Sequence, residues 1–193
     1  MKKNKSKLFK IKQDLSNSYL AKASLLESVD IIETAIDKMY SSLKRGGKII
    51  FCGNGGSASD AQHFTAEMIV KIKKKRKPLA ALNLIQDIST ITACSNDYGF
   101  EDVFSRNLDA LGNKKDILIV ISTSGKSRNI IKVLKTAKRK KIYSIGFFGK
   151  KSHHLLSRCN LCIFVNSNEV TRIQEAHTFL GHFILSEIEK KIN

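Results

Sequence analysis

Two short loops in this sequence have the composition of phosphate cradles. One reads Gly53-Asn54-Gly55-Gly56-Ser57, the other Ser122-Thr123-Ser124-Gly125-Lys126-Ser127. Each follows a short apolar run and opens a helical pattern. The first N–H groups of a helix have no intrahelical partner and favour an anion. Glycine lets the backbone approach the ligand, and hydroxyls add neutral donors. Neither loop is a nucleotide signature: G-x-x-x-x-G-K-[ST] is absent, and the first loop is not G-x-G-x-x-G because Ala58 follows Ser57. One such loop could be a capped turn. Two similar loops after parallel strand-like runs favour a ligand carrying phosphate.

A second group could move protons or hold a metal. His63 and Glu67 are four apart and share a helix face. Gln174, His177 and His182, with Glu175 between, lie on the last helical segment. His63, Glu67, Gln174 and His182 would offer nitrogen and oxygen ligands to a divalent ion. The spacing alone also fits a surface pair at i,i+4. A carboxylate and an imidazole beside a phosphate anchor are the parts that ketose–aldose interconversion needs. A base takes the proton beside the carbonyl, the enediolate is stabilised, and a proton returns to the neighbouring carbon.

The elements that must position these residues can be read from periodicity. Leu8, Ile11, Leu15, Tyr19 and Ala23 recur at helical spacing, as do Val29, Ile32, Ile36, Met39 and Leu43, before Gly46-Gly47 stops the run. Strands are expected at 48–52, 79–84, 116–121, 142–148 and 161–165. Helices are expected at about 59–73, 87–94, 100–111, from Ser127 to about 140, and 170–190. Short apolar strands alternating with helices predict an α/β fold with a parallel sheet covered on both faces. No linker divides the chain, so residues 1–45 read as an N-terminal helical extension and 46–193 as the ligand-binding unit.

Composition narrows the function classes. The 193 residues suffice for one full core, and 42% are hydrophobic. No apolar run reaches membrane-spanning length. The basic segment 1–12 is not followed by the apolar stretch of a secretory signal. Four cysteines without a framework pattern point to a reducing, cytoplasmic setting. Cys159 and Cys162 have C-x-x-C spacing, but 160–165 reads as a strand, on which residues three apart face opposite sides. The net charge of +17 comes mostly from lysines scattered over helix faces. The densest run, Lys71 to Lys77, reads as a solvated helix end. No reader motif or aromatic platform for nucleic acid accompanies the charge.

Four segments in order carry a resemblance: 52–64 with its Gly-Gly-Ser and Gln62-His63-Phe64, Asn96-Asp97 before Tyr98, 121–125, and Arg172-Ile173-Gln174-Glu175-Ala176-His177. Together they resemble the sedoheptulose 7-phosphate isomerases of the sugar isomerase (SIS) domain superfamily, from about Gly46 to the C-terminus. The resemblance implies a three-layer αβα sandwich with a five-stranded parallel sheet. It also implies a homotetramer with shared active sites and the conversion of D-sedoheptulose 7-phosphate to D-glycero-D-manno-heptose 7-phosphate, a heptose precursor of bacterial surface polysaccharide. On the family pattern His63, Glu67, Gln174 and His182 would hold Zn2+, with Glu67 as base and His182 as acid. Asn54, Gly55, Gly56, Asn96, Asp97, Ser122, Thr123, Ser124, Ser127 and Gln174 would contact substrate, with Ser57 as a further phosphate donor.

The chain departs from the pattern at Lys71, where Arg is common, at Lys126, where Asn is frequent, and in the segment 149–154. A lysine keeps the charge but cannot fork onto a phosphate. A non-catalytic tetrameric relative that binds the replication initiator shares several of these runs. It lacks the acid–base pair that Glu67 and His182 would supply, which favours the enzyme here.

Overall fold

The computed structural model describes residues 2–192, with side chains from Ser6 onward. Five strands form one all-parallel sheet in the order β2-β1-β3-β4-β5. They are β1 (Ile49–Gly53), β2 (Ala81–Asn83), β3 (Ile117–Ser122), β4 (Tyr143–Gly149) and β5 (Leu161–Val165). The helices are α1 (Lys2–Ala23), α2 (Val29–Lys44), α3 (Gly56–Ile69), α4 (Ile88–Asp97), α5 (Val103–Leu111), α6 (Arg128–Lys140) and α7 (Val170–Ile192).

β1 and β3 are unbroken apolar runs because both of their faces are covered. Ile49, Phe51, Ile117, Ile119 and Ile121 join one core with residues of α2, α3 and α7. Ile50, Cys52, Leu118 and Val120 join a second core with α5 and α6. This alternation produces the expected three-layer αβα sandwich. The N-terminal helices share the first core through Ala21, Ile32, Ile36 and Met39. Much of α1 is nevertheless left uncovered: Leu8, Ile11, Leu15 and Tyr19, the stripe visible in the sequence, are all exposed.

α6 follows its pattern closely. Ile130, Val133, Leu134 and Ala137 are buried at helical spacing, and Lys138 to Lys140 complement the negative end of the dipole. α3 does not follow the expectation, because it ends at Ile69 rather than near Lys73. The run after it is not a solvated helix end. Glu189 of α7 accepts hydrogen bonds from the backbone N–H groups of Ile72 (3.0 Å), Lys73 (2.9 Å) and Lys74 (3.2 Å). Arg76 turns inward, pairs with Glu189 at 3.1 Å, and donates to the carbonyls of Met68 (2.7 Å) and Glu67 (2.8 Å). The side chains of this ion pair are 2% and 4% exposed. A distant carboxylate thus captures the N–H groups that helix continuation would have used. Burial opposes charge on Glu189, but these N–H groups and Arg76 outweigh it and hold its carboxyl below the usual range.

Two smaller differences have local causes. The stretch 100–111 is one 3-10 turn, Phe100–Asp102, followed by α5. Cys159 lies in the turn before β5, so strand parity does not separate it from Cys162. A thiol–thiol hydrogen bond raises Cys159 and lowers Cys162, and both remain free thiols.

His177 is completely buried on α7, with its ring 6.3 Å from that of Phe147. Burial drives its pKa down to about 4, against a backbone contact with Phe148 that works the other way. The fold therefore holds the neutral ring. That contribution is complete above the unfolded value near 6.5 and is lost as pH falls toward 4, by roughly 3 kcal/mol at full extent. Urea unfolding between pH 7 and pH 4 should show this decline, and His177→Leu should flatten it. An equal slope in the variant would contradict the assignment.

Candidate functional site

The two Gly/Ser loops sit where the chain's direction across the sheet reverses. From β1 the chain passes to β2 on one side, and from β3 it passes to β4 on the other. In open α/β sheets ligands collect at such a switch point, beyond the carboxyl ends of the strands. β1 and β3 pair in register, with Gly53 opposite Ile121, so the loops leave the sheet side by side.

The first loop turns through Gly55, whose φ of 55° and ψ of −123° suit only glycine. Gly55 and Gly56 are exposed, Asn54 is half-buried and Ser57 is buried beneath them. In the second loop Ser122 Oγ accepts the Gly125 N–H at 3.1 Å and Ser124 Oγ accepts that of Lys126 at 3.3 Å. Thr123 and Ser127 are half-buried, Ser124 is exposed, and Ser127 caps α6 without spending its hydroxyl on the helix. The loops are tied by a reciprocal amide pair: Asn54 Nδ2 donates to Asn129 Oδ1 at 2.9 Å, and Asn129 Nδ2 to Asn54 Oδ1 at 2.8 Å. Asn129 is buried and escaped the sequence reading, since a lone Asn in the first turn of a helix looks like any polar residue there.

The proton-transfer candidates converge from opposite ends of the chain. α3 presents His63 and Glu67, and α7 presents His182. His63 Nε2 lies 2.9 Å from His182 Nε2, and Glu67 Oε1 lies 3.5 Å from each. One ring therefore holds a proton on Nε2 while the other offers a lone pair. Phe64, fully buried between α3 and α7, meets the His182 ring edge-on at 5.9 Å and locks the two helices together. Gly181 makes this approach possible, because a Cβ there would lie 2.0 Å from Phe64 Cζ.

His63, Glu67 and His182 form a group able to hold a metal ion, their ligand atoms all within 4.8 Å of one another. Two imidazole nitrogens and a carboxylate oxygen are the donor set of many three-residue zinc sites, which leave a fourth position open. Glu67 Oε2 is buried with no hydrogen-bond partner, a further sign that this carboxylate is arranged for something other than the protein. Asp60, one turn before His63, bonds Thr178 of α7 at 2.8 Å. Burial raises its pKa, while Thr178 and the charges of His63 and His182 pull it back. Asp60 is a second residue whose part in the site was not singled out from the sequence. A groove of about 500 Å³ runs from Glu67 and His182 past Lys73, Phe179 and Lys190.

The remaining candidates fall in different places. Gln174, on α7, sets its amide against Gly56, where a Cβ would be 2.5 Å from Nε2. It thus lies beside the first loop. His177 faces the core, away from the cluster. Asn96 and Asp97 are exposed at the end of α4 and bond each other at 2.8 Å. No described hydrogen bond joins them to the loops.

Comparison with known proteins places this arrangement in context. The SIS domain pattern matches residues 17–149. A phosphoheptose isomerase of Campylobacter jejuni is 45% identical over 170 residues, 86% of this chain and 91% of its own. One from Helicobacter pylori is 40% identical over 93% of both chains. Among solved structures, a phosphoheptose isomerase from Francisella tularensis superposes with a TM-score of 0.90 at 36% identity, covering 95% of this chain and 98% of that one. The corresponding enzyme from Neisseria gonorrhoeae gives a TM-score of 0.88 at 36% identity, with the same coverage.

Proposed function

The chain belongs to the phosphoheptose isomerases of the SIS-domain family, and from that premise we propose that it converts D-sedoheptulose 7-phosphate to D-glycero-D-manno-heptose 7-phosphate by proton transfer through an enediolate. The observation that carries this reading is the contact of Glu67 Oε1 with both His63 and His182, on the helix that the first phosphate-type loop opens. The loops anchor the remote phosphate through Gly55, Gly56, Ser57, Ser122, Thr123, Ser124 and Ser127, and this binding energy positions the reacting carbons. Asn54 and Gln174 meet the substrate at the mouth of the first loop. Glu67 takes the proton from carbon 1 as the electrons of the broken C–H bond move toward the carbonyl of carbon 2. His182 acts as the acid toward the oxygen on carbon 2 and takes up the hydroxyl proton of carbon 1 as the new carbonyl forms there, while the proton on Glu67, after exchange with solvent, returns to carbon 2 and yields the aldose.

His63, Glu67 and His182 would hold a zinc ion, with Gln174 as a fourth ligand. Bound zinc would polarise the carbonyl as a Lewis acid. The assembly is a homotetramer with shared sites, a reading supported by the exposed apolar stripe of α1 and by Phe179 and Phe183, exposed on α7. The exposure of Asn96 and Asp97 fits their delivery to a neighbouring subunit's site. The reaction belongs in the cytoplasm. Among the described residues no helix is long and apolar enough to cross a membrane.

Incubation with sedoheptulose 7-phosphate in D2O should give the aldose with deuterium at carbon 2. An absence of turnover in the folded, metal-supplemented protein would overturn the assignment. Chelation should remove most activity, and zinc should restore it. Full turnover in protein shown to be metal-free would take the ion out of the reaction.

A further inference from the structure

The buried Arg76–Glu189 pair joins the two helices that carry the acid–base cluster. On one side, Arg76 holds the peptide carbonyl of Glu67 itself and that of Met68. These are last-turn carbonyls of α3, which the helix cannot satisfy. On the other side, Glu189 lies seven residues, or two helical turns, beyond His182, and therefore on the same face of α7. The connection is short and dry, with side chains 2% and 4% exposed. It is also rigid, because a guanidinium is planar and forked.

We propose that Arg76 is a positioning residue for the reaction: by clamping the end of α3 to α7 it sets the spacing of His63 and Glu67 from His182. This rests on the metal-assisted isomerase reading above. Partners that orient metal ligands from behind are worth about 10- to 100-fold in metal affinity or activity. Arg76 would act in that way through the backbone of a ligand rather than through its side chain.

The decisive variant is Arg76→Lys. A lysine can keep the charge on Glu189 but cannot reach two carbonyls in one plane. Co2+ titration of the metal-free protein, followed by its visible absorption, reads the site without turnover. Arg76→Lys should bind Co2+ at least about tenfold more weakly and with an altered band per bound ion. Turnover per metal-loaded site should fall by a similar factor, while KM for the sugar phosphate moves less than about twofold. Lost stability alone would reduce the number of competent sites without changing affinity or spectrum per site. A folded Arg76→Lys with wild-type Co2+ affinity and band overturns the proposal. If that variant does not fold, Glu189→Gln, which removes the charge opposite Arg76 and keeps one of the two oxygens that the three N–H groups share, takes the same test with the same expectation. Wild-type protein that takes up Co2+ but does not isomerise the sugar defeats the functional assignment and with it the effect on turnover, and leaves only the positioning of the metal ligands by Arg76 to stand or fall on Co2+ affinity and band. Wild-type protein that takes up no Co2+ defeats both.

Discussion

Glu67→Gln should lower isomerase turnover by about three orders of magnitude or more while leaving sugar-phosphate binding measurable by calorimetry within about threefold. A positioned general base contributes typically 10²–10⁴-fold, and this carboxylate is also the one oxygen donor of the cluster. The amide keeps the size of the side chain, so Phe64 and the α3–α7 contact should survive. The phosphate anchors belong to the loops after β1 and β3, on backbone that the substitution does not touch. The loss should therefore appear in kcat, the pattern of a group engaged at the transition state. A variant turning over within tenfold of the parent would show that another group takes the proton. Asp60 would then be the next residue to test, since it faces the same two histidines.

Gly181→Ala should destabilise the protein by about 2–3 kcal/mol, although the same change elsewhere in a helix gains up to ~1 kcal/mol. The added methyl would meet Phe64 at 2.0 Å from Cζ and 2.4 Å from Cε1. Phe64 cannot yield easily, because its ring is fully buried and packs 6.0 Å from Phe51. Strain is then relieved only by moving α7 away from α3. For a chain of this size the melting temperature should fall by about 4–12 °C. Co2+ affinity should fall too, because His182 adjoins the substituted residue and His63 adjoins Phe64. Unchanged or increased stability would overturn the role given to the Gly181–Phe64 contact in holding α7 against α3.

Much of this could be read from residue order because the relevant physics is local. Apolar runs such as Ile117 to Ile121, and the loops that follow them, declare themselves by period and by glycine. The larger revisions depend on partners distant in sequence. The length of α3 is decided by Glu189, more than a hundred residues away, which no window around Lys73 contains. The lysine-rich run looked solvated because only Arg76 among its cations is buried, and nothing local distinguishes Arg76 from its neighbours. Asn129 acquires its meaning from Asn54, 75 residues earlier. The resemblance supplied what the local patterns could not, namely that His63 and Glu67 belong with His182.

The separation of His63 and His182 by 119 positions has a consequence for synthesis. A nascent chain emerging from the ribosome carries the α3 half of the reactive pair long before the α7 half exists. Until the closing helix has been translated and has docked against Phe64, the imidazole of α3 has no counterpart. Competence therefore arrives late and all at once, because a truncated translation product would lack both His182 and the α7 share of the first core.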